Sequence, residues 1–209
     1  MERQTIQVGS FEVNCTILSE GGKAWIVDPG QEPDHLLALL TKSGLSPEAI
    51  LLTHAHFDHI GAVPALCRAF PNLPVFVHPN DVPMIGHALN QMPPDYPPVA
   101  KFACRDAREF SGPTGVKVIE TPGHTPGGIC YLFPDFPATG SSGTQPLLLA
   151  GDTLFAGSVG RTDLPGGDMA TLMNSLRQLT ALPDDTLVIP GHGMFTTIAA
   201  EKRGNPFLQ

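Results

Sequence analysis

Four times along this chain a short apolar run stops at a turn and is followed at once by a histidine or an aspartate. Ala49-Ile50-Leu51-Leu52 leads through Thr53 to His54, and Val118-Ile119 leads through Thr121-Pro122-Gly123 to His124. Leu147-Leu148-Leu149-Ala150-Gly151 leads to Asp152, and Leu187-Val188-Ile189-Pro190-Gly191 leads to His192. Apolar runs this short, bounded by Gly and Pro, read as buried strands. Each polar side chain therefore stands at a strand end, where a small or turn-forming residue lets backbone approach a bound group closely. The first of the four is the richest: Thr53-His54-Ala55-His56-Phe57-Asp58-His59 carries three imidazoles and a carboxylate. If the extended geometry of the strand continues, His54, His56 and Asp58 project toward a common point and His59 points away from it. Neutral imidazole and carboxylate oxygen are ligands that zinc, iron and manganese accept, at distances of about 2.0–2.2 Å for zinc. A catalytic zinc takes three protein groups and a pair takes more, which the three later strand ends would supply.

The remaining pattern alternates strands with helices. Period-two stretches predict strands over 6–13, 16–27, 49–53, 75–78, 117–120, 129–133, 147–150 and 187–190. Helical spacing predicts helices over 32–42, 60–70, 169–179 and 196–202, with Asp168 as the N-cap of the third. The proline-rich run Met92-Pro93-Pro94-Asp95-Tyr96-Pro97-Pro98 is a stiff loop between two halves that look alike in plan, and 137–144 reads as a flexible hairpin tip. Two strand-rich blocks with outer helices imply an α/β protein, an αββα sandwich of two mixed sheets flanked by helices. At 209 residues with a 42% apolar fraction, the expected organisation is one domain over 1–209.

Charge and cysteine usage narrow the function classes. A net charge of −8 with only 12 Lys and Arg and no basic run excludes nucleic acid as the main partner. No stretch is long and apolar enough to span a membrane, and Met1-Glu2-Arg3-Gln4 runs straight into strand-like residues, so a cytoplasmic protein without membrane partners is expected. Cys15, Cys67, Cys104 and Cys130 are widely spaced, without a Cys-x-x-Cys pair, which fits reduced core thiols. No Gly-x-Ser-x-Gly elbow is present, so water activated by metal is the economical nucleophile: two cations about 3.5–4 Å apart lower its pKa from 15.7 toward about 7 and polarise a carbonyl. A thiolate with a pKa of about 8.5 leaves unprotonated, whereas an amine needs an acid, so a site rich in ligands and poor in spare acids suits thioesters.

The run His54-x-His56-x-Asp58-His59, followed in order by Gly123-His124, Gly151-Asp152 and Gly191-His192, resembles the metallo-β-lactamase-fold hydrolases over nearly the whole chain. Thr121-Pro122-Gly123-His124-Thr125-Pro126-Gly127, Gly151-Asp152-Thr153-Leu154-Phe155, Gly157-Ser158-Val159-Gly160-Arg161-Thr162-Asp163-Leu164 and the closing Asn205-Pro206-Phe207-Leu208 resemble the glyoxalase II-like branch, in particular its short bacterial members. The resemblance implies that His54, His56 and His124 hold one divalent ion, that Asp58, His59 and His192 hold a second, and that Asp152 bridges both. Zinc is the first expectation, with iron and manganese compatible with the same ligands. It also implies the αββα fold and a single domain without the C-terminal helical region of the long glyoxalase II enzymes.

The activity so implied is hydrolysis of a glutathione thioester such as S-lactoylglutathione by attack of metal-bound hydroxide, with Asp58 as ligand and proton shuttle. Arg161 aligns with a basic position that faces glutathione carboxylates in the family, and Lys101, Lys202 and Arg203 are candidate replacements for contacts the shorter chain lacks. The alternatives are a mononuclear iron persulfide dioxygenase, which would use His56, His124 and Asp152, or a hydrolase of another small ester or thioester. Asp28, in Asp28-Pro29-Gly30, is a candidate to orient a ligand imidazole, and Thr53 and Thr153 are candidates to hydrogen-bond Asp58 and Asp152. His78 reads as a structural histidine, and His35 and His87 as exposed helix residues.

Overall fold

The computed structural model describes residues 1–113, 115–138, 140 and 142–209. Met1–Glu109 and Phe110–Gln209 form two compact units, each a mixed sheet with its own helices.

In the N-terminal unit the strands are β1 (Glu2–Val8), β2 (Val13–Glu20), β3 (Lys23–Val27), β4 (Ser46–Leu51), β5 (Val75–Val77) and β6 (Arg105–Asp106), lying side by side in chain order. β1, β2 and β3 pair antiparallel, and β3 through β6 run parallel. The two strands expected over 6–13 and 16–27 are three. Gly9 (φ 71°) and Glu12 (φ 53°) turn the chain between β1 and β2, and Gly21 and Gly22 (φ 58° and 81°) turn it between β2 and β3. Alternate residues Cys15 and Ile17, Ala24 and Ile26, Ile50 and Leu52, and Val75 and Val77 share one core cluster with Leu36 and Leu40 of α1 (Pro33–Lys42) and Val63 and Leu66 of α3 (Val63–Ala69). The period of two in the strands and of three to four in the helices puts both helices on one face of this sheet. A helix expected over 60–70 is instead two, α2 (Phe57–Ile60) and α3, because Gly61 and Ala62 separate them and Pro64 occupies the first turn of the second.

In the C-terminal unit the strands are β7 (Lys117–Glu120), β8 (Ile129–Pro137), β9 (Thr144–Gly151), the ribbon β10 (Leu154–Phe155) and β11 (Ser158–Val159), β12 (Leu187–Pro190) and β13 (Thr196–Thr197). The five-stranded sheet has the order β13-β12-β9-β8-β7, with β9 and β12 parallel and the other neighbours antiparallel. Cys130, Leu132, Leu148, Ala150 and Val188 pack with Leu172, Leu176 and Leu179 of α4 (Met169–Thr180) and Ile198 of α5 (Ile198–Gly204). Asp168 caps α4 as expected, accepting the Thr171 amide at 2.7 Å. The helix expected over 196–202 begins two residues later, after β13. The expected hairpin tip joins β8 to β9, with the Ala138 amide on the Gly143 carbonyl, while Thr139 and Ser141 lie outside the described residues. All four cysteines are free thiols; Cys15 and Cys130 are buried, whereas Cys67 and Cys104 are half-buried. Among the described residues no helix is long and apolar enough to cross a membrane.

Candidate metal centre

Because β3, β4 and β5 are parallel, their C-terminal ends fall along one edge of the N-terminal sheet: Asp28 after β3, His54 to His59 after β4, and His78 to Asp81 after β5. Asp28 adopts a left-handed conformation (φ 49°) that aspartate tolerates. Its Oδ1 accepts the Thr53 amide at 2.8 Å, and its Oδ2 accepts the Thr53 hydroxyl at 2.7 Å and His59 Nδ1 at 3.0 Å. With its proton committed to Asp28, the Thr53 hydroxyl accepts from His54 Nδ1 at 3.1 Å. These partners assign both imidazoles the Nδ1-protonated tautomer and leave Nε2 of each as an acceptor. His59 Nε2 then faces Asp58 Oδ2 at 3.8 Å. The His54 ring stands 4.8 Å from that of His56 and 4.1 Å from that of His59. Strand alternation sends His59 away from this group, but the chain turns helical at Phe57 and brings it back. Gly30 packs against the Asp58 carbonyl where a Cβ would clash, so the Asp-Pro-Gly turn fits only around glycine there.

The C-terminal unit repeats the plan. β9 and β12 are parallel, and β7 shares their direction because two antiparallel pairings separate it from β9, so His124, Asp152 and His192 all emerge at one sheet edge. The Gly191 amide on the Gly151 carbonyl, 2.8 Å, ties two of these strand ends together. Asp152 Oδ2 lies 3.5 Å from His124 Nε2 and 3.5 Å from His192 Nε2. His124 Nδ1 donates to the Arg161 carbonyl at 2.7 Å, so its Nε2 is an acceptor too. Gly160 sits against the Asp152 carbonyl with no room for a Cβ, which keeps the Arg161 carbonyl in reach of His124.

The donor chemistry tests whether metal fits. In each half an imidazole whose Nδ1 proton is committed turns Nε2 toward a carboxylate oxygen, at 3.8 Å for His59 and Asp58 and at 3.5 Å for His124 and Asp152. Two acceptors so opposed are balanced by a cation between them or by a second proton on the imidazole, and the donors themselves, imidazole nitrogen and carboxylate oxygen, are ligands that zinc, iron and manganese accept. Tetrahedral ligands at about 2.0–2.2 Å from one zinc lie about 3.3–3.6 Å apart, close to the spacing of both pairs. The Nδ1 bonds to Asp28 and to a backbone carbonyl are the outer contacts that metal-bound imidazoles make.

Residues 8–192 match the family described as the metallo-beta-lactamase superfamily. The chain belongs to that superfamily. Its fold is the metallo-β-lactamase fold, α/β with mixed sheets flanked by helices, as the sequence pattern implies. Among solved structures, a di-iron-bound form of TTHA1623 is 41% identical with a TM-score of 0.84, covering 98% of this chain and 100% of its own. BLEG-1 B3 metallo-β-lactamase is 36% identical with a TM-score of 0.86, covering 100% of both chains. The hydroxyacylglutathione hydrolase GloC of Haemophilus influenzae is 34% identical over 227 residues, covering 100% of this chain and 98% of its own. Members of the superfamily are typically metal-dependent hydrolases.

Two expected side-chain contacts differ in the structure. Thr53 bonds Asp28 rather than Asp58, and Thr153 bonds the Thr121 hydroxyl at 3.1 Å rather than Asp152. His78 is structural, accepting the Asn80 amide at 3.2 Å, and His87 stands exposed in a turn rather than on a helix. Lys202 is paired with Asp184 at 2.7 Å. Arg161 is exposed, with Nε and Nη2 on the two Asp163 oxygens at 2.7 Å each, and this pairing holds the Asp163 carboxyl down at about 2. Asp81 and Asn90 were not expected near the ligands, yet both hydrogen-bond the backbone between them. Asp81 follows the short strand β5 as His54 follows β4, a faint version of the same strand-end signal. Nothing local marks Asn90.

Proposed function

We propose that the chain is a binuclear metal-dependent thioester hydrolase acting on a hydroxyacylglutathione such as S-lactoylglutathione. In this reading 1–209 is one catalytic domain to which both units contribute: His54, His56 and His124 hold one ion, Asp58, His59 and His192 the second, and Asp152 both. The observation that carries the metal assignment is the opposed acceptor pair in each half, His59 with Asp58 and His124 with Asp152. The likeness to GloC favours a glutathione thioester, and the likeness to a di-iron-bound protein favours two ions.

Two divalent ions, zinc or iron or manganese, supply Lewis acidity and acidify water at neutral pH when bound. The chain's own residues do the rest. Asp28 and the Arg161 carbonyl fix His59 and His124 in the tautomer that presents Nε2. Asp58, buried beside His59 at 3.8 Å, would hold the second ion and is the carboxylate placed to carry a proton between water and product. A thiolate leaving group, with a pKa of about 8.5, departs without a general acid. Arg161 spends two of its five donors on Asp163 and offers its charge to a glutathione carboxylate.

The test is thiol release from S-lactoylglutathione by metal-loaded protein. Thioester cleavage without oxygen uptake, abolished in Asp152→Ala together with loss of bound metal, is the expected result. Oxygen consumption on glutathione persulfide with one iron per chain would instead make the protein a dioxygenase, and turnover confined to a cephalosporin would make it a β-lactamase.

A further inference from the structure

The strand ladder that carries the ligand turn stops at Leu52, whose amide still reaches the Phe76 carbonyl at 2.9 Å. Beyond it the chain bends at Thr53 and runs without a ladder to His56, itself extended (φ −65°, ψ 148°), so its amides must find acceptors other than a neighbouring strand. Three side chains provide them. Asp28 Oδ1 takes the Thr53 amide at 2.8 Å, Asp81 Oδ2 the Ala55 amide at 3.1 Å, and Asn90 Oδ1 the Phe57 amide at 3.0 Å. Asn90 also donates from Nδ2 to the Ala55 carbonyl at 2.8 Å and to the Met84 carbonyl at 3.0 Å. One amide NH and two carbonyls around one carboxamide allow only this orientation of the side chain. Asp81 is fully buried and Asn90 nearly so.

The residues pinned are 53, 55 and 57; those between them, His54 and His56, carry the imidazoles. Fixing the backbone on either side of each imidazole restricts where that imidazole points. Asn90 grips both sides of His56, through the Ala55 carbonyl before it and the Phe57 amide after it, and ties that grip to Met84 at the end of the 3₁₀ turn Pro79–Met84. Asp81 grips the residue shared by both imidazoles. Asn90 acts through backbone.

We propose that Asn90 and Asp81 are positioning residues that set the spacing of His54 and His56 and thereby the metal affinity of this half of the site. The inference rests on the metal reading above. It assigns a role in the chemistry to the segment between β5 and β6.

The experiment compares the whole protein with Asn90→Ala, Asn90→Asp and Asp81→Asn, measuring zinc affinity by competition with a chromophoric chelator, the visible spectrum of the cobalt-loaded protein, and Tm with and without metal. Asn90→Ala is expected to weaken zinc binding about 10–100-fold and to alter the cobalt bands. Asn90→Asp, which keeps the acceptor for Phe57 but loses both donors, should fall between parent and alanine. Because binding only to the folded state adds to stability in proportion to affinity, the variants should lose more Tm in the metal-loaded form than in the metal-free form. Equal Tm losses in both forms, with zinc affinity and cobalt spectrum unchanged, would show a purely structural role and overturn the inference alone. A parent protein that binds no zinc or cobalt would overturn the metal reading and the inference with it.

Discussion

Asp28 receives three donors, the Thr53 amide, the Thr53 hydroxyl and His59 Nδ1, while it is itself buried and left-handed. Replacing it by alanine strands at least two of those donors in the interior, each at a cost of about 1–3 kcal/mol. Asp28→Ala should therefore lower the urea midpoint of the metal-free protein and, by freeing the His59 ring, weaken zinc binding about 10–100-fold. An unchanged midpoint and affinity would show that the carboxylate does not hold the turn. At the surface, the Arg161–Asp163 pair titrates in the opposite regime. The folded-state value of Asp163, about 2, lies below its ordinary range chiefly because of the hydrogen bonds from Arg161. A depressed carboxyl favours the folded state above its unfolded pKa of about 3.9, and that contribution disappears as pH falls through about 2. Carboxyl-carbon NMR should place the Asp163 midpoint near the lower value in the parent and move it upward in Arg161→Ala. The same midpoint in both would mean that the pair does not persist in solution, and would leave Arg161 without a fixed place from which to meet a substrate.

Elements were legible where burial wrote them into composition. The runs before His54, Asp152 and His192 are apolar because β4, β9 and β12 are interior strands, each with at least one parallel neighbour and buried at its C-terminal end, and such runs need no alternation to be recognised. What pattern missed was set by pairing or by single dihedrals. The β1–β2 turn depends on Glu12 in a left-handed conformation, for which glutamate carries no signal. β6, β10 and β11 have two residues each and exist only because a neighbour pairs with them. Asn90 is 33 residues from the Phe57 amide it accepts, a separation at which one sequence gives no clue. The same holds for Glu201 in α5. It is buried and accepts the Gly157 amide at 2.9 Å, the Thr196 hydroxyl at 2.6 Å and the Asn205 carboxamide at 2.8 Å, which joins α5 to the β10–β11 ribbon and to β13. Glu201→Ala should cost about 2–4 kcal/mol through the donors it abandons, or roughly 5–15 °C in Tm for a chain of this size. A calorimetric scan showing no shift would remove the carboxylate as the staple of this region.

At the scale of the whole molecule, the candidate site was readable as a list of ligands and not as an arrangement. Strand ends and spacing point to His54, His56, Asp58, His124, Asp152 and His192 as candidate ligands, and only the family resemblance adds His59. Which nitrogen each histidine presents, and what holds it, follows from partners such as Asp28 and the Arg161 carbonyl that stand far off in sequence. The central claim is the proposal that His54, His56, Asp58, His59, His124, Asp152 and His192 form one binuclear ligand set. Zinc titration into metal-free protein, followed by isothermal calorimetry and elemental analysis, tests it most directly. The account predicts two ions per chain in the parent and at most one, weakly held, in Asp152→Ala; a single ion bound equally well by parent and variant would contradict it.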